Sequence, residues 1–232
     1  MNDTLFDDRR DAGRQLARLV NTLPHLSDAI VLGLPRGGVP VAFEVARACN
    51  IPLDILVVRK LGAPGQRELA LGAIASGGVV ALNDEILRAL RISEQFVNAA
   101  AKRAMQEMAC MELAWRNGCQ PLAIEGRAAI LVDDGLATGA TMRAAVRAVR
   151  AQAREVVIAV PVAAESACRE LESEVDRICC VAAPEPFDAV GRFYRNFEPT
   201  SDEEVRVLLA EARRLQQVHP TEPGTEDAAG TL

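Results

Sequence analysis

The chain is poor in aromatic residues, with six Phe, one Tyr and one Trp among 232 residues. So few rings exclude an extended platform on which nucleic-acid bases could stack. Positive charge is short as well: 26 Lys and Arg stand against 32 Asp and Glu, a net of −6. That balance argues against a broad nucleic-acid or anionic-membrane footprint. Histidine occurs only at His25 and His219, and the six cysteines lie 61, 9, 49, 11 and 1 residues apart with no CxxC pair. A zinc framework is therefore not expected. A Ser-His-Asp triad finds no GxSxG elbow. Long apolar runs are also missing: the longest, Val156 to Ala164, is nine residues with a proline inside. That is far below the roughly 20 residues of a membrane span. The start, MNDTLFDDRRD, is acidic and has no apolar signal core. The expectation is a chain that meets neither membrane nor nucleic acid and works in the reducing cytoplasm. There Cys179 and Cys180 would behave as small hydrophobes.

What is present is the composition of an ordinary globular core, 50% apolar and 25% charged. A chain of this length buries roughly 70% or more of its unfolded surface without a metal or disulfide staple. Apolar runs alternate with helical patterns, the signature of βαβ units. The runs are 29–34, 53–58, 128–132, 156–160 and 178–181. Being nearly continuous, they predict parallel strands buried on both faces. Residues 59–82 interrupt the alternation with Gly62, Gly65, Gly72, Gly77 and Gly78, and predict a hairpin turning at 76–78. Residues 84–116 read as helical, with Asn83 and Ser93 as N-caps. Their stripe of Val97, Ala101, Met105, Met108, Met111 and Trp115 is core packing or a subunit contact, so a homodimer is compatible with it. Ser201 to Glu204 is a capping box that opens a last helix. About 7–21 should also be helical, and 217–232 have the composition of a frayed tail. One domain over 1–216 is expected.

Chemistry concentrates in Ile130-Leu-Val-Asp-Asp-Gly-Leu-Ala-Thr-Gly-Ala-Thr141. It is an apolar strand, two carboxylates at its C-terminal end, then a small-residue loop opening a helix. Small residues let backbone N–H groups approach an anion, and the helix N-terminus adds about half a positive charge. Thr138 and Thr141 add hydroxyl donors, while Asp133 and Asp134 can accept from vicinal hydroxyls or a magnesium-bound water. Neither GxxxxGK[ST] nor GxGxxG is present, which disfavours a P-loop or dinucleotide site. The adjacency of the two acids is a poor geometry for opposed glycosidase carboxylates.

This stretch resembles the loop that binds 5-phosphoribosyl 1-diphosphate (PRPP) in type I phosphoribosyltransferases. Gly135 is a departure, since that family more often has a branched or apolar residue there. Leu34-Pro-Arg-Gly-Gly-Val-Pro40 is similar to the family's pyrophosphate loop. The resemblance implies an α/β fold with a five-stranded parallel sheet flanked by helices, in strand order 3-2-1-4-5, with an inserted hairpin and helical segment. It also implies transfer of phosphoribose from PRPP to a planar nitrogenous acceptor, with Mg2+ held through substrate and water near Asp133 and Asp134. The 5-phosphate would meet Ala137, Thr138, Gly139, Ala140 and Thr141, and the pyrophosphate Pro35, Arg36, Gly37 and Gly38. Arg59, Lys60 and Arg67 would come from a mobile loop that closes over the leaving group. A hood over 183–197 would offer Phe187, Phe193 or Tyr194 to the acceptor ring. A PRPP-binding regulator or partner-binding module on the same fold is the rival reading.

Overall fold

The computed structural model describes residues 4–64 and 66–218, without the side chains of 66–70, 77, 79, 81, 84, 85 and 218. The tail expected over 217–232 lies almost wholly outside the described residues. The chain opens with α1 (Arg9–Val20), capped by Asp8, whose carboxylate accepts from Asp11 N. There follow β1 (Ala29–Gly33), α2 (Gly38–Cys49) and β2 (Leu53–Ile55). Next come β3 (Val58–Ala63), β4 (Gln66–Ala75), β5 (Val79–Leu82), α3 (Asp84–Ala89) and α4 (Glu94–Trp115). The second half is β6 (Ala128–Val132), α5 (Ala140–Val149), β7 (Glu155–Val162), α6 (Glu165–Leu171), β8 (Arg177–Ala182) and α7 (Asp202–Val218).

Five strands form a wholly parallel sheet in the order β2-β1-β6-β7-β8. Alternate residues of each strand serve opposite faces. Val31, Leu53, Ile130 and Val157 pack with α1, α2 and α7, whereas Ile30, Leu32, Leu131 and Ile158 pack with α5 and α6. In the numbering of the five expected runs this order is 2-1-3-4-5, which corrects the expected 3-2-1-4-5. The reason lies at residues 56–57. Leu56 N still donates to Gly33 O, but Val57 N donates to Ser76 Oγ and Ser76 N to Val57 O. The run 53–58 therefore splits, and the chain leaves the main sheet instead of adding a strand beyond β2.

The departing segment builds its own antiparallel sheet, β3-β4-β5. The expected turn at 76–78 is there, joining β4 to β5, and β3 pairs antiparallel with β4. Asn83 and Ser93 cap α3 and α4 as expected, accepting from Ile86 N and Phe96 N. Val97, Ala101, Met108 and Trp115 are buried, and Met105 and Met111 pack against the same core. The apolar stripe of α4 is thus used inside the chain, against α7, β3 and β4. A polar hub ties this unit to the main sheet. Arg116 donates from Nε to Asp54 Oδ1 at 2.8 Å and reaches Glu112 Oε2 at 2.6 Å. Glu112 in turn accepts from Ser76 Oγ at 2.9 Å.

Candidate active site

Parallel sheets present their ligand sites at the carboxyl ends of the strands, where a loop leads into the next helix. Here β1 runs into the 34–38 turn and β6 into Asp133 and Asp134. Leu34 N donates to Val132 O at 2.8 Å, which lays one loop beside the other. Their contact depends on two bare glycines. A Cβ on Gly38 would stand 2.6 Å from Val132 O and 2.8 Å from Asp133 Cα, and one on Gly37 would stand 2.0 Å from Asp134 Oδ2. The Pro35–Arg36 peptide is cis. Arg36 is exposed, its guanidinium 3.5 Å from Asp202 Oδ1, which also accepts from Trp115 Nε1.

Downstream of the acids, Leu136 N donates to Val162 O and Ala164 N to Leu136 O, which anchors the loop to the end of β7. Ala137, Thr138 and Thr141 remain exposed at the mouth of α5. Gly139 turns into the helix with φ +70°, a left-handed conformation that favours glycine. An anion entering here would meet small side chains, hydroxyls and a helix N-terminus. Gly135 has a local explanation: Val190 Cγ1 would lie 2.4 Å from a Cβ at that position. The side chain missing at 135 is replaced by one from the C-terminal segment.

That segment joins the start of the chain in a strap over the acids. Phe6 bridges Tyr194, Leu5 N and Phe6 N donate to Phe193 O, and Asn196 N donates to Asp7 O. Arg9 reaches from α1 into the site. Its Nε lies 2.8 Å from Asp134 Oδ2, its NH1 is 2.7 Å from Glu198 O, and its guanidinium sits 3.8 Å above the Phe197 ring. Tyr194 OH donates to Asp134 O at 2.6 Å. Burial, then the adjacent Asp134 carboxylate, holds Asp133 well above the usual carboxylate range. Burial also raises Asp134, with Arg9 pulling against it. Burial pushes the Tyr194 phenol up as well.

The hood expectation needs correction for two of its three rings. Phe193 and Tyr194 are 2% and 5% exposed. Their faces are taken by Phe187 in one case and by Phe6 and Phe197 in the other, so neither can stack on a ligand. Phe187 is half-buried and borders a cavity of about 660 Å³ with Pro184, Pro186, Glu165 and Arg169. The cations expected of the closing loop are not gathered on the acids. Arg59 is turned to α4, where it pairs with Glu107, and Lys60 is exposed on β3. The side chain of Arg67 lies outside the described residues.

Sequence reasoning missed Arg9 and Glu198, and within the expected 183–197 hood it did not single out Val190 or Phe197. One weak signal existed for Arg9, because a cation in a first helical turn opposes the helix dipole and so needs another employment. Among the described residues, no group of three or more His, Cys, Asp or Glu side chains is placed to hold a metal ion. No described helix is long and apolar enough to cross a membrane. The oxygen donors of Asp133 and Asp134 do suit a hard cation that keeps several waters and shares phosphate ligands, as Mg2+ does.

Comparison with known proteins bears on the family and the fold. The crystal structure of TT1426 from Thermus thermophilus superposes with a TM-score of 0.78 at 41% identity, covering 89% of this chain and 98% of that one. Two Mycobacterium tuberculosis sequences, "Putative phosphoribosyl transferase MT0597" and "Putative phosphoribosyl transferase Rv0571c", are each 47% identical over 211 residues. Those matches take in 90% of this chain but 47% of each relative, so the chain spans about half their length. The model of the phosphoribosyl transferase domain matches residues 3–190, and the chain belongs to that family.

Proposed function

We propose that the chain transfers the 5-phosphoribosyl group of PRPP to a ring nitrogen of a planar acceptor and releases pyrophosphate. The observation that carries this reading is the close packing of the 34–38 turn on the Asp133–Asp134 loop, with Gly37 and Gly38 as the points of approach. Ala137 to Thr141 receive the 5-phosphate at the mouth of α5. The ribose hydroxyls meet the acid pair, and the pyrophosphate lies along Pro35 to Gly38 with Arg36 beside it. Breaking the hold of Asp202 on Arg36 costs little at that exposure. The acceptor enters from the Phe187 cavity at the ends of β7 and β8.

In the reaction a bond forms between the acceptor nitrogen and ribose C1. The bond from C1 to the pyrophosphate oxygen breaks, and its electron pair leaves on pyrophosphate. Positive charge develops on the sugar, so the acids below it and the cations around the leaving group act electrostatically. Bound Mg2+ would neutralise charge on the pyrophosphate. Lys60 and Arg59 contribute when β3 and β4 approach the site.

Isothermal titration with PRPP and Mg2+, followed by an assay of pyrophosphate release with purines, pyrimidines and nicotinate-like acids, tests the reading. Binding should be lost in the Asp133→Asn/Asp134→Asn double variant. No heat with the wild type would remove the donor assignment. Tight binding without release with any acceptor would favour a PRPP-responsive regulator.

A further inference from the structure

The antiparallel unit β3-β4-β5 has two edges, and only one is guarded. Unpaired N–H and C=O groups on an open edge invite another strand, so natural sheets protect it with charge, proline or a bulge. β3 has such guards: Arg59 and Lys60 lie on it, and its register with β4 shifts at Leu61/Gly62 and again at Gly62/Ala63. β5 is Val-Val-Ala-Leu, with no charge and no proline, and it pairs with β4 in unbroken register. Asn83 N donates to Leu71 O, and hydrogen bonding alternates along an antiparallel ladder. Residues 79 and 81 therefore turn their main-chain groups to β4, and Val80 and Leu82 turn theirs outward. The side chains of these same two residues are 37% and 38% exposed.

The apolar surface continues beside the edge. Leu82 lines a cavity of about 610 Å³ with Leu87, Ile92 and Val97, and Leu90 and Phe96 are exposed on the adjoining α3–α4 hairpin. One flank of α4 runs along β5. Asn98 borders the same cavity, and Met105 Cε would lie 4.0 Å from a Cβ on Gly78. Between these two positions on the helix stands Lys102, exposed.

We propose that β5 is the joining edge of a two-fold dimer, in which β5 of a second copy pairs antiparallel with it about an axis at Ala81. That register sets Val80 opposite Leu82 of the second copy and Leu82 opposite its Val80, so that their outward N–H and C=O groups bond one another. On the same face each apolar side chain meets another. The register also brings positions 84 and 85 of the second copy, an Asp and a Glu, opposite 78 and 77, on the flank where Lys102 stands. The two-fold repeats this meeting of opposite charges on the other side of the axis. Hydrogen-bonding groups, apolar face and charge are thus complementary to themselves, which selects a second copy over an unlike strand. The product is one continuous antiparallel sheet with the two Lys60 strands at its outer edges.

Sedimentation velocity over a wide range of concentration tests the join, and wild type should form a reversible dimer. Val80→Lys and Leu82→Lys each bury an unpartnered charge in the contact and should weaken dimerisation about tenfold or more. Lys102→Glu should weaken it severalfold at low salt, with the difference fading as salt rises. Across the axis the two Cα atoms of residue 81 would stand about 4.5 Å apart, within reach of a disulfide. Ala81→Cys, in a Cys110→Ser/Cys119→Ser background, should therefore be locked as a covalent dimer by copper-phenanthroline, and the background alone should not. Wild type that stays monomeric throughout would leave the edge to an unlike strand and overturn the proposal. A dimer that neither lysine weakens, or that Ala81→Cys does not lock, would place the interface elsewhere and also overturn it. If the lysine variants melt lower than wild type at dilution, Lys102→Glu and the cross-link decide. None of these readouts depends on PRPP, so the join and the phosphoribosyl reading stand or fall separately.

Discussion

Replacing Gly37 with alanine is a small change whose cost can be worked from the structure. The residue has φ −61° and ψ −34°, which alanine adopts without strain. On backbone grounds alone the substitution would stabilise the chain by about 0.4–1 kcal/mol through the unfolded state. The new Cβ, however, would stand 2.0 Å from Asp134 Oδ2, and that oxygen is held by Arg9 at 2.8 Å. The carboxylate must leave the guanidinium, and a hydrogen bond to a charged group contributes roughly 1.5–3 kcal/mol. Both partners are mostly buried, with 12% and 16% of their side chains exposed, so water does little to replace the loss. The net expectation is a destabilisation of about 1–2 kcal/mol, or roughly 2–8 °C in melting temperature for a chain of this size. Gly38→Ala should lower it further, because its obstacles are the backbone atoms Val132 O and Asp133 Cα, which cannot swing aside. Differential scanning calorimetry of the three proteins measures this ordering. A Gly37→Ala variant that melts higher than wild type would refute the packing argument.

Arg116→Met should cost about 3–5 kcal/mol, since it strands Asp54 in the core, and thermal melting should fall by roughly 10 °C. Lys60→Ala should lower kcat about 100-fold or more, the scale of one preorganised charge donor, while PRPP affinity falls less; single-turnover pyrophosphate release beside titration separates the two. Phe187→Ala should raise the acceptor KM severalfold with kcat nearly unchanged, and an unchanged KM in steady-state assays would place the acceptor elsewhere. At pH 8, brief iodoacetamide treatment followed by mass spectrometry should find label on the exposed Cys110 and Cys119 first. Burial pushes Cys49 up to about 11 and Cys180 up to about 12, so these thiols should label only on unfolding.

What could be read from the sequence was local. The strand, acid pair, small-residue loop and helix of 128–149 follow one another along the chain, as do 29–34 and the glycine turn. The caps at Asn83, Ser93 and Ser201 are also near-neighbour effects, spanning three residues in each case. The sheet order was not legible, because it turns on Ser76 drawing Val57 out of the main sheet, and no periodicity announces that. Nor was Arg9, whose partner lies 125 residues away. Phe193 and Tyr194 look like free rings in a polar, proline-containing stretch, and only Phe6, Phe187 and Phe197 reveal them as buried. Gly135 reads as an oddity until Val190 is seen in the space a side chain would have filled.

The strap also dictates when, during synthesis, the site becomes complete. The acid loop leaves the ribosome 60 residues ahead of Tyr194, and Arg9 must wait across 189 residues for Glu198 O. Such distant closures come late, after the loop-closure entropy has been overcome by nearer contacts. The sheet strands and both strand-end turns can therefore meet while Asp134 still lacks its Tyr194 tether and Arg9 its C-terminal anchor. A nascent chain stopped short of residue 193 would hold both turns without their clamp, and would also lack α7, which covers one face of the sheet.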